Sequence, residues 1–393
     1  MPFMFTTAER RILKRWFGPA MLLAAAAFLG PAEVGRGAEN AASTSPAYRT
    51  LQTIGAGDES VKRARAAAAE IQSQPDATLW QTLAAMKDAG PIGKNWLSAI
   101  ASLQYSRLQR EADRQQLDKQ LVEFIDDRSH DAEARTLAFH WLRDSDPSRS
   151  DQMLATMIDD PSPELRYGAV SNALNELPEG DAATDPLRKL LVNARHPDQV
   201  RDIVKRLGEK DIKVDQSAHF GFLDRWQLMG PFDNRGSQHF DTAYPVEADL
   251  LAGKFDPGKT YEGKDGSPVA WREHDTDDAE GKVDLAAVYN KEKGAVVYGF
   301  TTFRSDREQS VQVRLTSINA NKVWINGEQI LSNNVYHSGT RLDQYVGDVK
   351  LQAGQNTIVV KLLQNEMTEG WAQDYQFHLR ITDSTGAAIP EQP

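Results

Sequence analysis

Cysteine is absent from all 393 residues. Disulfides and any thiol nucleophile are excluded, and so is the lipid anchor of a lipoprotein, which needs a cysteine at its cleavage site. Export would permit disulfides, so stability must come from packing alone. An excess of basic charge is also missing. Lys and Arg number 45 against 56 Asp and Glu, a formal net charge of -11, and no basic stripe exists to displace phosphate counterions, which argues against nucleic acid as a partner. No apolar run is long enough for a comfortable membrane span; the best candidate, residues 17–29, falls short.

That short run has its own meaning. It follows Arg10, Arg11, Lys14 and Arg15 and leads into small residues around 30–38, the order of a secretory signal peptide. Cleavage is expected between residues 32 and 42, with an uncleaved anchor as the alternative. The expectation is therefore a signal peptide over 1–38, a small polar linker over 39–46, and a secreted or periplasmic protein with no stable membrane span after cleavage. Apolar residues make up 40% and charged residues 26%, a balance that buries full cores in two or three domains.

From 47 to 214 the pattern is helical. Ala-rich and amphipathic segments alternate with breaks at 74–76, 90–91, 126–127, 146–147, 160–161, 178–180 and 196–197, so the helices are short and paired. The pairs repeat. Residues 121–135 align with 154–166 and more loosely with 190–201, each an apolar helix end, an acidic or Pro-bearing turn, and a helix whose first turn carries an arginine. That period is the signature of a solenoid. The turn Asp160-Pro161-Ser162-Pro163-Glu164-Leu165-Arg166, followed by Gly168-Ala169-Val170, resembles HEAT repeats over about 115–207. The arginines read either as a ligand-facing row or, preferably, as locks that pair with the acidic turns. His130, His140 and His196 show no metal spacing.

Near 209–217 the period changes to that of strands. Candidates are 225–229, 269–273, 283–288, 295–303, 310–316, 322–325, 328–331, 344–351, 356–363 and 375–382, enough for two antiparallel sheets. Asn326-Gly327 between two of them is the composition of a type I′ hairpin turn. The β-branched run 356–363 belongs at the centre of a sheet. Trp324 faces opposite to Val323 and Ile325, so it packs as a second layer or lies on an exposed sheet face.

Several of these segments carry a family resemblance. Trp226-Gln-Leu-Met-Gly-Pro-Phe-Asp-Asn234, Phe240 to Pro245, Val323 to Gly327, 351–361 and Phe377 to Ile381 together resemble the galactose-binding-domain-like jelly roll, as in the sugar-binding domain of family 2 glycoside hydrolases and related sandwiches of exported bacterial proteins. The expected fold is an N-terminal HEAT-like α-solenoid, 47–214, plus a C-terminal antiparallel β-sandwich, 219–388. The fold hosts carbohydrate binders, protein-contact modules and structural spacers. The transglutaminase-like triad of some relatives is impossible here without cysteine.

Catalytic signatures are missing too: no Gly-x-Ser-x-Gly elbow, His-Glu-x-x-His helix, Walker loop or dinucleotide fingerprint occurs. Three loops are the better candidates. They supply Asn234, Arg235 and His239; Asn334, Tyr336, His337 and Arg341; and Glu369, Trp371 and Tyr375. Aromatic faces beside amides and carboxylates suit a saccharide, provided the loops share one end of the sandwich. Otherwise the aromatics simply lid the core. Asp275, Asp277, Asp278 and Glu280 form an acidic loop that invites a structural calcium but fails the EF-hand pattern, so a solvated loop is preferred. No cofactor is otherwise expected. The expectation is a non-catalytic binding protein for glycan or polysaccharide, with the solenoid offered to a protein partner. The alternatives are a scaffold that binds no sugar and an unrecognised glycan hydrolase.

Overall fold

The computed structural model describes residues 45–74, 78–178 and 180–392. The expected leader and the linker as far as residue 44 lie outside the described residues, as do parts of the expected breaks at 74–76 and 178–180. The helices are α1 (Pro46–Gln52), α2 (Asp58–Ser73), α3 (Leu79–Ala84), α4 (Pro91–Glu111), α5 (Arg114–Asp126), α6 (Ala132–Ser145), α7 (Pro147–Leu154), α8 (Pro163–Asn175), α9 (Thr184–Asn193), α10 (Pro197–Gly208) and α11 (Gln216–Phe220). Their starts follow from local chemistry. Asp113, Asp131, Asp146 and Ser162 each accept a bond from a first-turn N–H, and proline opens α1, α7, α8 and α10 where its missing N–H costs nothing. Two breaks were not anticipated. Gly57, at φ 106°, precedes α2, and Asp113 restarts the helix after α4 with neither Gly nor Pro to mark it.

The chain divides into two compact units, one ending at Gln104 and the other beginning at Tyr105. In the first, Leu51, Ile71, Leu83, Met86 and Leu97 are fully buried. Tyr48 and Thr82 share a buried hydroxyl–hydroxyl bond of 2.8 Å. Gly93 on α4 lies so close to α1 that a Cβ there would stand 2.1 Å from the Leu51 carbonyl oxygen.

The second unit holds helices and sheets together. Its strands are β1 (Arg225–Asp233), β2 (Thr260–Glu262), β3 (Pro268–Ala270), β4 (Arg272–Asp275), β5 (Val283–Asp284), β6 (Ala295–Ser305), β7 (Gln309–Thr316), β8 (Ala320–Ile325), β9 (Glu328–Asn333), β10 (Tyr345–Leu351), β11 (Gly354–Gln364) and β12 (Gln376–Thr382), with short helices α12 (Pro245–Leu251) and α13 (Leu285–Val288) between them. One sheet runs β4-β1-β6-β11-β8-β9, a second β10-β7-β12-β5, and β2 pairs with β3 alone. The pairings are antiparallel throughout. The chain is a mixed α and β protein with antiparallel sheets.

Strand parity explains the layering. Val323, Ile325, Ile358, Val360 and Leu362 of the larger sheet share one core with Val311, Val313, Leu315, Phe377, Leu379 and Ile381 of the smaller. Tyr298, Phe300, Trp324, Val359 and Leu363 point to the opposite face of the larger sheet, where α12 and neighbouring residues cover them. Trp324 is therefore packed in a second layer. The buried Lys361 ties that cover down, donating to the carbonyls of Phe240 at 3.0 Å and Thr242 at 2.7 Å and pairing with Glu247 at 3.3 Å.

Several strand expectations need correction. Gly230-Pro231 ends no strand: it lies inside β1, as a cis peptide, where the register against β6 shifts between Met229 and Phe232. The run 283–288 is a strand for two residues only, because the Asp284 side chain accepts from Ala287 N at 2.9 Å and turns the chain into α13. Asn326 and Gly327 do take positive φ, 51° and 82°, and β11 is central, between β6 and β8.

The arginine locks use different partners. Arg135 is fully buried and bidentate to Asp160 at 2.7 and 2.8 Å, with Nε donating to Ile125 O at 2.8 Å. Arg166 donates to Asp160 O at 2.6 Å and to Thr385 O at 2.7 Å, beyond the last strand. Arg201 pairs with Asp198 at 2.6 Å and with Glu280 of the acidic loop.

Candidate functional site

β1, β9 and β11 deliver three loops to one place. At the end of β1, fully buried Asn234 donates from Nδ2 to the Tyr336 hydroxyl and to Gln364 O, both at 3.0 Å, while its Oδ1 accepts from His239 N at 3.3 Å. One amide thus joins the 234–239, 336–337 and 364–371 segments. Beneath it a polar spine continues. Asn319 donates to Gln364 Oε1 at 3.2 Å, Asn321 donates to Asn319 O at 2.9 Å, and Asn333 donates to Asn321 Oδ1 at 2.9 Å. Each buried amide is satisfied by the next, which fixes the loop bases.

Above that base the groups become accessible. His337 Nε2 meets Asn365 Oδ1 at 3.1 Å, and its ring stands perpendicular to Trp371 with centroids 5.0 Å apart. Trp371 is 60% exposed, on a 3₁₀ turn, Gly370–Ala372, preceded by exposed Glu369. Lys293 supports this turn by donating to Ala372 O at 2.8 Å. Burial pushes its ammonium below the ordinary lysine range, against the opposing pull of Asp374 and Glu369. Glu366 accepts from Gly236 N. Arg235 clasps Asp233 at 2.9 Å and Asp265 at 3.0 Å, and its hydrogen bond holds the Asp233 carboxyl below its usual range. Burial pushes the Tyr336 hydroxyl upward, partly offset by its bonds to Asn234 and Ser237.

The ten residues singled out from sequence therefore separate. Tyr336, His337, Glu369 and Trp371 gather at the loop end, with Arg235 alongside. Asn334 is exposed on the same 332–345 loop. His239 is half-buried, and its Nδ1 has no hydrogen-bond partner among the described residues. Asn234 and Tyr375 serve the frame: Tyr375 is 1% exposed and donates its hydroxyl to Leu362 O at 2.7 Å. Arg341 lies elsewhere, lining a cleft against α8 and the turn into α10. Sequence reasoning missed Gln364 and Asn321, inside β11 and β8, and Asn319, in the bend before β8, since a lone amide carries no signal until its partners are known.

In the acidic loop Asp278 Oδ1 accepts from Glu280 N at 2.9 Å and Lys282 N at 3.3 Å, and Glu280 pairs with Arg201. Asp275 is in β4, paired with Arg225 of β1, and Asp277 is exposed. Among the described residues no group of three or more His, Asp or Glu side chains is placed to hold a metal ion.

A second concavity, about 1100 Å³, lies over the uncovered part of the larger sheet. Gln227, Thr302 and Thr357 line it together with Phe300, on which Phe255 stacks at 4.3 Å, and Glu273, Asp275 and Arg225 border it.

No protein-family model matches the chain, and no curated protein does. Among solved structures it is similar to a beta-glucosidase from Kluyveromyces marxianus in complex with glucose, at 12% identity and a TM-score of 0.24, over 42% of this chain and 17% of that one. It is similar to the GH31 alpha-xylosidase from Xanthomonas citri at 12% identity and 0.17, over 32% and 18%. The corresponding values for a cycloisomaltooligosaccharide glucanotransferase from Paenibacillus sp. are 17% and 0.14, over 23% and 13%. In each of these three alignments the chain covers less than a fifth of the other protein's length; a second structure of the same beta-glucosidase is covered over 38%, at 13% identity and a TM-score of 0.26.

Proposed function

We propose that this is an exported, non-catalytic binding protein that recognises a glycan or polysaccharide at the loop end around Trp371. The observation that carries the reading is an indole left 60% exposed on a turn held by Lys293, beside His337 and within loops anchored by buried amides. An indole face held on a fixed turn, with exposed Glu369 before it and the Asn365 amide on the neighbouring His337, suits the apolar face and hydroxyl rim of a sugar ring. Holding the loops in advance lowers the ordering cost of binding.

The finer architecture belongs to the same proposal. Helix pairs with recurring acidic turns support a HEAT-like solenoid over 47–214 that offers a surface to a protein partner. Two antiparallel sheets around one core support a galactose-binding-like jelly roll over 219–388. Export rests on the basic cluster and apolar run of the first 29 residues.

The test is a glycan array probed with the full chain and with the Trp371→Ala and Gln227→Ala variants. Binding lost with Trp371→Ala and kept with Gln227→Ala supports the loop-end site. The opposite pattern moves the site to the groove over the larger sheet, and no binding to any glycan favours a scaffold.

A further inference from the structure

A cleft of about 450 Å³ opens between α8, the turn into α10 and the smaller sheet, all within the second unit. It shares no residue with the Trp371 cluster. Arg201 and Asp198 at its rim pair with each other. Apart from them, five arginines, Arg166, Arg195, Arg314, Arg341 and Arg380, line it with a single carboxylate, Asp343.

That carboxylate is already committed. Arg380 donates to its Oδ1 at 2.7 Å and its Oδ2 at 2.6 Å, and Arg314 donates to Oδ2 at 2.6 Å. Arg166 is satisfied only by the Asp160 and Thr385 carbonyls, and Arg195 by those of Val192 at 2.7 Å and Ala194 at 3.0 Å. Neither has a carboxylate within ion-pair distance among the described residues, and the exposed Arg341 side chain has no hydrogen-bond partner there. Nε of Arg195 and Nε of Arg314 are buried donors without acceptors among the described residues. The nearby Asp383 carboxylate accepts from Thr385 and Ala387 of its own turn, all at Oδ1, and acts on Arg166 and Arg195 through its charge, not through a direct ion pair. Burial first, then the charge of Arg195, pushes Arg166 down against the pull of Asp160 and Asp383, and burial pushes Arg195 down, with Asp383 opposing it more strongly than Arg380 adds to it.

Guanidinium groups without a directly paired carboxylate, gathered in a partly desolvated cleft, are costly unless an anion joins them, and their planar forks match oxyanions bidentately. We infer that this cleft binds a small multivalent oxyanion, with Arg166, Arg195 and Arg341 as its ligands and the Arg314–Asp343–Arg380 cluster as its wall. Phosphate and carboxylate groups share the required chemistry.

The test is isothermal calorimetry on the full chain with pyrophosphate and with citrate, at roughly 20 mM ionic strength so that screening is weak, against chloride at equal ionic strength. Arg341→Ala removes a ligand that makes no internal bond, so the fold is retained; Arg195→Ala is the second variant, and circular dichroism checks both. The expected result is binding of at least one oxyanion, weakened about tenfold or more in each variant, the loss of one charge-assisted contact. Tighter pyrophosphate points to a phosphate ester as the physiological ligand, tighter citrate to a polycarboxylate. The inference is overturned if neither binds beyond chloride, or if either variant binds as tightly as the wild type.

Discussion

Replacing Arg135 by Met tests how the helices of the second unit are joined. Arg135 spends three donors on Asp160 and Ile125 at 2.7–2.8 Å. Without it Asp160, itself fully buried, keeps Ser162 N at 2.8 Å and Arg128 at 3.8 Å. Leaving a buried charge without its partner costs about 3–5 kcal/mol, far more than the pair contributes over an apolar replacement. Arg135→Met should therefore lower the urea stability of the second unit by that amount, read by far-UV circular dichroism with an unchanged m-value. Adding Asp160→Asn removes the stranded charge and retains an acceptor for Ser162 N, so the double variant should recover roughly 1–2 kcal/mol. A single variant within about 1 kcal/mol of the wild type, the level of an exposed pair, would refute the reasoning.

Further outcomes follow from the same geometry. Burial works to raise the Asp343 carboxyl, but the bonds and charges of Arg380 and Arg314 prevail and hold it below its usual range. Its contribution to stability is thus full above the unfolded carboxylate value of about 3.9 and lost as pH falls through the lower folded value; Asp343→Asn should flatten the acid limb of a stability–pH curve. Gly93→Ala places a Cβ 2.1 Å from Leu51 O, which should force α1 from α4 and cost the first unit about 1–3 kcal/mol in thermal unfolding. Asn234→Ala leaves its loop partners unsatisfied, a loss of about 1–3 kcal/mol, and limited proteolysis should cut the 332–345 and 365–371 loops faster than in the wild type.

Elements that carry their own signals were legible in the sequence. Alternation placed β8 and β9, the β-branched run placed β11, Asn326-Gly327 set the hairpin between β8 and β9, and Asp and Pro at the turns marked helix starts. Long-range partners were not legible. The arginines at 135, 166 and 201 occupy matching places in the three segments aligned from sequence, yet Arg135 binds the next helical turn while Arg166 and Arg201 reach Thr385 and Glu280; only the docking of helices against sheets decides which. The loop aromatics divided for the same reason. Trp371 and Tyr375 are four residues apart, but a 3₁₀ turn carries one outward while β12 begins beside the other and draws it into the core. The arginine cleft joins segments more than 200 residues apart, so no local pattern announces it.

The measurement that bears most directly on the proposed function is calorimetric titration of the best array glycan into the full chain and its Trp371→Phe and Trp371→Ala variants. Stacking on an exposed ring predicts modest weakening for Phe and a loss of about tenfold or more for Ala, with unfolding midpoints unchanged because the side chain is largely in solvent. Equal affinity in all three proteins would contradict a saccharide site at this loop end.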